Sequence, residues 1–239
     1  MSIHQRPLEY MFPHGMGVVF DCDGVVVDSE PASLEAFRRT YQEVEIELSQ
    51  DDLESVIGRT AEASVSLMWE RHGYFMEIKD YLERKQHHYE IVAKEKGILA
   101  LPGVVDLINE LDNSQVRFAL ASSNRPEAIE TILREAHLQD RFSIIISGAD
   151  VSWGKPDPEI FLLAAEQLSL PPERCIAIED SSSGVEAACR AGMTCIGVTN
   201  TYTAQTLSRA DCVVQSLEEV NVRMLRKLFE ANLQRSGRA

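Results

Sequence analysis

Gly17-Val18-Val19-Phe20-Asp21-Cys22-Asp23-Gly24-Val25 decides the reading of this chain. The apolar run before Asp21 reads as a short strand buried on both faces. At its end two carboxylates, Asp21 and Asp23, stand one residue apart. Residues two apart in an extended chain point to the same side, so both acids can face one site. Gly24 then lets the backbone turn sharply and come close to a ligand. Two carboxylates held together repel unless a cation or a proton sits between them. The stretch is therefore either a metal site with an acid/base partner or an acidic surface turn of the common kind that ends in glycine. The rest of the chain has to decide between them.

Downstream, Asp28-Ser29-Glu30-Pro31 is a helix-start signal, with Pro31 suited to the first helical position. Helical spacing then continues to about Leu99: Leu34, Phe37, Arg38 and Tyr41 first, then Leu53, Val56 and Ile57 behind a Ser49-x-x-Asp52 capping signal. Val65, Met68 and Trp69 mark a third helix, and Tyr81 through Lys94 a fourth. Residues 31–100 thus read as an all-helical domain inserted after the first strand. Pro102-Gly103 punctuates the return. Strands at Val116–Ala121, Ser143–Ser147, Cys175–Ile178 and Thr194–Val198 then alternate with helices at Val104–Leu111, Pro126–Ala136, Pro158–Leu168 and Gly184–Ala191. That alternation predicts an α/β fold with a doubly wound parallel sheet, covered on both faces. Cys212–Val214 adds an edge strand, and a helix from about Val220 carries Arg223, Arg226 and Lys227 on a solvated face. Residues 16–30 and 101–239 form this Rossmann-like core, and residues 1–15 read as a loosely held leader.

Doubly wound sheets bind ligands at the carboxyl ends of their strands, so the residues just after each strand matter most. After the first come Asp21 and Asp23; after Ala121 come Ser122-Ser123-Asn124; after Ser147 a loop holds Gly154-Lys155-Pro156; after Ile178 come Glu179-Asp180, then Ser181-Ser182-Ser183-Gly184. Ser122 and its neighbour Ser123, with free N–H groups at a helix N-terminus and the close backbone of Gly24, suit an anionic oxygen such as a phosphate. Lys155 can neutralise the same group. Asp21 and Asp180, with Glu179 close by, make a hard oxygen site for which Mg²⁺ is the natural occupant, leaving one acid of the first pair for proton transfer. This set fits phosphoryl transfer, where catalysis is mainly positioning and charge neutralisation. Each member has a plainer reading: helix caps for Ser123 and Asn124, a loop lysine for Lys155, loop acids for Glu179 and Asp180. Their joint arrival after successive strands favours the site. His87 and His88 read as surface residues, and Cys22, between the two acids, should point into the core.

Composition bounds the partners. A formal net charge of −15 argues against nucleic acid and against anionic membrane surfaces. The five cysteines lack metal-ligand spacing and read as reduced residues of a cytoplasmic protein, the first residues lack a signal-peptide core, and no run approaches membrane-spanning length.

The constellation resembles the haloacid dehalogenase superfamily of phosphotransferases. The resemblance rests on Asp21-Cys22-Asp23-Gly24-Val25, Ser122 after an apolar strand, Gly154-Lys155-Pro156-Asp157-Pro158, and Glu179-Asp180-Ser181-Ser182-Ser183-Gly184, and the inserted helices match the family's cap. It implies that Asp21 is a nucleophile forming an aspartyl-phosphate, and that Asp23 protonates the leaving group and then activates water. It further implies that Asp23 offers its carbonyl to Mg²⁺, that Ser122 and Lys155 hold the phosphoryl group, and that Asp180 and Glu179 serve the metal. The second acid, Asp23, speaks against dehalogenase chemistry. The pattern is similar to the branch of β-phosphoglucomutases and sugar-phosphate phosphatases. Mutases of that branch carry a basic residue shortly after the first motif and a Lys-Gly-x-Ser-Arg pattern in the cap. Here Pro31-Ala32-Ser33 offers no base, and Ile57 and Ala61 stand at the lysine and arginine positions, while Arg59 remains a candidate to reach the substrate from the cap. The expectation is a phosphatase for a small phosphorylated sugar or polyol, working as a monomer or weak dimer. A phosphomutase is the alternative, and a non-catalytic interaction protein on the same fold comes third.

Overall fold

Each apolar run expected to be a strand is one, and all six lie in a single parallel sheet. The computed structural model describes residues 15–57, 59 and 61–236; apart from Gly15 the leader lies outside them, as do Gly58 and Thr60 of the cap. The strands are β1 (Gly17–Phe20), β4 (Arg117–Ala121), β5 (Ile145–Ile146), β6 (Cys175–Glu179), β7 (Thr194–Val198) and β8 (Cys212–Val214), in the order β5-β4-β1-β6-β7-β8. Phe20 is level with Leu120 on one side and with Ile178 on the other. This register brings Asp21, Ala121 and Glu179 to one height, with the Asp21 N–H donating to Ile178 O at 3.0 Å. The site is thereby built into the pairing of the three central strands. At the sheet edge, β5 is shorter than expected because it pairs on one side only, with β4.

Alternation along β1 distributes the core. Val18 and Phe20 enter one apolar cluster with Leu107, Ile108, Ile129 and Phe229, while Val19 enters the opposite one with Phe161, Ala164 and Ala188. Cys22 falls in step with Val18 and Phe20 and is fully buried in the first cluster, away from the acids. The covering helices are α5 (Val104–Asn113), α6 (Pro126–Glu135), α7 (Glu159–Gln167), α8 (Ser182–Arg190) and α9 (Val222–Ser236). On α9, Leu225 and Phe229 are buried while Arg223, Arg226 and Lys227 are exposed, the solvated face expected of them. Among the described residues no helix is long and apolar enough to cross a membrane.

The inserted helices are α1 (Glu30–Gln42), α2 (Gln50–Val56), α3 (Ala61–His72) and α4 (Ile78–Lys96), around a core of Phe37, Tyr41, Val65, Met68 and Tyr81. The capping signal is realised in full: Ser49 Oγ accepts from the Asp52 N–H at 3.2 Å, and Asp52 Oδ2 accepts from the Ser49 N–H at 2.9 Å. Arg71 donates to both Asp51 and Asp52 at 2.8 Å and fastens α3 to α2. Replacing Ser49 by alanine should lower unfolding stability by about 1 kcal/mol, the usual value of an N-cap; urea denaturation read by circular dichroism checks it. Two strands of two residues, β2 (Val27–Asp28) and β3 (Leu99–Ala100), pair antiparallel where the chain leaves the core and returns. Periodicity cannot reveal a strand of that length, so neither is visible in the sequence.

Candidate active site

The ends of β1, β4 and β6 and the loop before α7 converge on one lysine. Lys155 Nζ donates to Asp21 Oδ1 and, at 2.6 Å, to Glu179 Oε1. It lies 5.1 Å from the centre of the Phe161 ring, a cation–π contact that helps fix it. Burial alone would push the lysine down, but Asp21 and Glu179 outweigh it and hold Lys155 well above the ordinary lysine range, so it is charged at every working pH. Glu179 is fully buried and its second oxygen, Oε2, is also occupied. It accepts from the N–H groups of Asp180 and Ser181 at 3.0 Å each and from Ser181 Oγ at 2.9 Å. Ser181 in turn caps α8 by accepting from the Gly184 N–H at 3.1 Å. Two glycines are required by this packing. A Cβ at Gly184 would run into the Glu179 carboxylate, and one at Gly24, where φ is +75°, would run into that of Asp180.

Asp23 is held from two sides. Asn124 Nδ2 donates to Asp23 Oδ2 at 2.6 Å, while Ser29, at the start of α1, lies on the cap side. Burial raises the Asp23 carboxyl above its ordinary value, against the pull of Ser29, Lys155 and Asn124. The sequence predicts a helix cap at Asn124. The N-cap position of α6 is instead Arg125, with no side-chain cap, and the Asn124 amide serves Asp23. Asn200, in the loop after β7, donates to Gly24 O at 2.8 Å and steadies the same turn. Nothing in the local sequence marks Asn200; only the level strand ends bring it there.

Asp21, Glu179 and Asp180 place ligand oxygens within 4.8 Å of one another. Burial raises Asp21 well above the carboxylate range; Lys155 opposes this, and Glu179, Asp180 and Asp23 add to it. Asp180 is pushed up to about 7, first by burial and then by Glu179. Lys155 alone does not balance the charge of Asp21, Asp23, Glu179 and Asp180, and the remainder is what a divalent ion bound by hard oxygens would offset. The residues fit Mg²⁺. This arrangement makes stability depend on pH. Below about pH 7 folded Asp180 keeps a proton that the unfolded chain has already lost, so the metal-free protein should lose stability as pH rises from about 4 to 7. Saturating Mg²⁺ should restore it at pH 8, raising the Tm on the order of 5 °C, with a much smaller rise at pH 5.5 where it competes with protons. Differential scanning fluorimetry with Mg²⁺ or EDTA at both pH values measures this.

Above the acids a cavity of about 700 Å³ opens between the core and the inserted helices. Asp21, Asp23, Gly24, Ser123, Lys155, Glu179 and Asp180 line its core side, bringing most of the expected site residues to one wall. Ser122 is fully buried, and its Oγ accepts from the Asn124 N–H at 3.2 Å. Ser123 is exposed at the cavity. Arg59 stands at the mouth, exposed, with Nε donating to Ser55 O at 2.6 Å. Sequence reasoning missed Glu30 and Lys85 on the cap wall. Burial pushes Lys85 down while Glu30 and then Asp23 draw it up. A helix lysine among charged neighbours carries no sequence signal of facing inward.

The sequence profile of the haloacid dehalogenase-like hydrolases matches residues 18–198. A phosphorylated carbohydrates phosphatase of Thermotoga maritima is 37% identical over 180 residues, spanning 74% of this chain and 81% of that protein. A β-phosphoglucomutase of Bacillus subtilis is 31% identical, spanning 89% of this chain and 95% of its own. Among solved structures, a putative β-phosphoglucomutase from Thermotoga maritima superposes with a TM-score of 0.73 at 30% identity, covering 89% of this chain and 99% of that one.

Proposed function

This chain belongs to the haloacid dehalogenase-like hydrolase family, and on that premise we propose that it is a Mg²⁺-dependent phosphatase of a small phosphorylated sugar or polyol. The observation that carries the proposal is the joint placement of Asp21, Lys155, Glu179 and Asp180 beside a cavity that also admits Asp23. Asp21 attacks phosphorus and forms an aspartyl-phosphate, while Asp23 gives its proton to the departing oxygen. Asp23, now a carboxylate, takes a proton from water as that water attacks the intermediate, which restores Asp21 and frees phosphate. Lys155 draws Asp21 towards its ionised form and neutralises charge on the phosphoryl oxygens, with the exposed Ser123 and the turn at Gly24 completing the cradle. Asp21, Glu179, Asp180 and the Asp23 carbonyl would hold the Mg²⁺, which when bound supplies charge neutralisation at the phosphoryl group.

Similarity to a β-phosphoglucomutase supports a second reading, a sugar phosphomutase. A mutase must retain and turn a bisphosphate, and of the cations that would assist this, Pro31-Ala32-Ser33 offers no base and Ile57 and Ala61 stand at the lysine and arginine positions. Phosphate release from a panel of sugar, polyol and glycolate phosphates, with Mg²⁺ and with EDTA, separates the readings. Metal-dependent release supports the phosphatase. Isomerisation of β-glucose 1-phosphate that needs added bisphosphate, without free phosphate, supports the mutase. The free cysteines and the acidic charge are in keeping with a cytoplasmic protein, a monomer or weak dimer, without nucleic-acid or membrane partners.

A further inference from the structure

A second cavity, of about 710 Å³, opens at the carboxyl ends of β7 and β8, on the same sheet edge as the acids. Its volume is that of a small-molecule pocket. Thr201 and Tyr202 line this space and the catalytic cavity alike, so the two adjoin across the loop that follows β7. Thr201 stands beside the acids: a Cβ built at Gly24 would meet its Oγ1 at 2.7 Å as well as the Asp180 carboxylate. The loop is held in place along its length. The Thr199 N–H donates to Val214 O at 3.0 Å, Asn200 holds Gly24 O, and Tyr202 packs against the core cluster of Val19, Ala177 and Leu207. This wall is therefore set before any ligand arrives, which lowers the cost of binding one. The phosphoryl chemistry proposed above makes no use of it.

The lining selects the ligand. In a chain with a formal net charge of −15, no residue that lines this pocket is charged. Thr199, Thr201, Tyr202, Thr203 and Gln215 supply hydroxyls and an amide, and the remainder is apolar. A second phosphate or a carboxylate would find no cation here, and an amine no acid. Hydroxyls and amides both donate and accept, which matches the neutral hydroxyls of a sugar, and a tyrosine ring adds an apolar face beside a polar tip. We propose that the pocket at β7 and β8 is a subsite for a neutral sugar ring, and that the substrate is a phosphorylated disaccharide or glycoside. The phosphorylated ring occupies the catalytic cavity, and the second ring passes Thr201 and Tyr202 into the pocket. Only the phosphate ester is cleaved; the glycosidic bond stays intact.

The inference rests on the phosphatase reading and is tested with substrates that differ by the second ring. Trehalose 6-phosphate, maltose 6′-phosphate and cellobiose 6′-phosphate each carry a neutral ring on glucose 6-phosphate. With Mg²⁺, kcat/KM for at least one of the three should exceed that for glucose 6-phosphate about tenfold or more, because binding energy from a remote ring serves the transition state. Ala204→Trp, at an exposed position of the lining, fills the pocket and should fold normally. It should erase the advantage while leaving glucose 6-phosphate within about twofold of wild type. Gln215→Ala should reduce the same advantage about fivefold, the loss of one hydrogen bond. No preference over glucose 6-phosphate in the wild type, an Ala204→Trp protein that keeps the preference, or an equal loss on both kinds of substrate would overturn the subsite. Turnover of p-nitrophenyl phosphate with every disaccharide phosphate refused would overturn the subsite and leave the phosphatase reading standing. A wild-type protein inert toward all of these esters would overturn that reading itself.

Discussion

Asp21→Asn protein is expected to release phosphate at least about 10⁴-fold more slowly than wild type while remaining folded. The amide keeps the shape of the carboxylate and cannot serve as the nucleophile. Lys155 retains Glu179 as a partner in the variant, at 2.6 Å in the wild-type structure. Removing Asp21 also removes an acid whose ionisation is opposed first by burial and then by Glu179, Asp180 and Asp23. Stability should therefore hold or rise by about 1 kcal/mol at pH 8, so a lost activity cannot be ascribed to unfolding. Phosphate release and a thermal scan on the same preparation check both halves of this expectation. A variant retaining a tenth of the wild-type rate would remove Asp21 from the nucleophile's role.

Lys155→Met should damage rate and stability together, and the stability loss should depend on pH. Methionine fills most of the volume but leaves Asp21 and Glu179 buried without their cation. Removing one partner of a buried ionic cluster costs on the order of 3–5 kcal/mol. Asp21 is already raised well above the carboxylate range, and losing Lys155 removes the largest influence opposing that. A carboxyl raised in the folded state stays protonated at low pH and destabilises the fold as pH rises above the unfolded value near 4. The loss relative to wild type should therefore be largest at pH 8 and shrink towards pH 5, as urea titrations at the two pH values would show. Turnover should fall about 10²–10³-fold, because Lys155 is the cation bonded to Asp21, while Lys85 and Arg59 line the cap side of the cavity. A Lys155→Met protein as stable as wild type at pH 8 would mean that the paired carboxylates are satisfied by other means.

Much of this was legible in the chain itself, for a physical reason. Strands buried on both faces are apolar throughout, so β1, β4, β6 and β7 announce themselves, and short punctuated loops place their carboxyl ends on one edge. Asp21, Lys155, Glu179 and Asp180 can therefore be grouped before any geometry is known. What escapes is whatever depends on contact between residues far apart in sequence. Asn124 looks like a helix cap because Asn before a helix usually is one, and its bond to Asp23 spans 101 residues of sequence. Lys85 and Tyr89 sit on a helix whose polar residues mostly face solvent, so their inward direction has no local mark. Ser122 and Ser123 alternate in direction: the first is buried and the second faces the cavity.

Trapping the covalent intermediate tests the central claim most directly. In Asp23→Asn protein, p-nitrophenyl phosphate needs no acid to phosphorylate Asp21, but the intermediate lacks the base that activates water. Mixing the two with Mg²⁺ should give a burst of one equivalent of nitrophenolate, and acid-quenched protein should carry one phosphoryl group on the peptide containing Asp21. Steady turnover without a burst, or a phosphoryl group on any other residue, would contradict it.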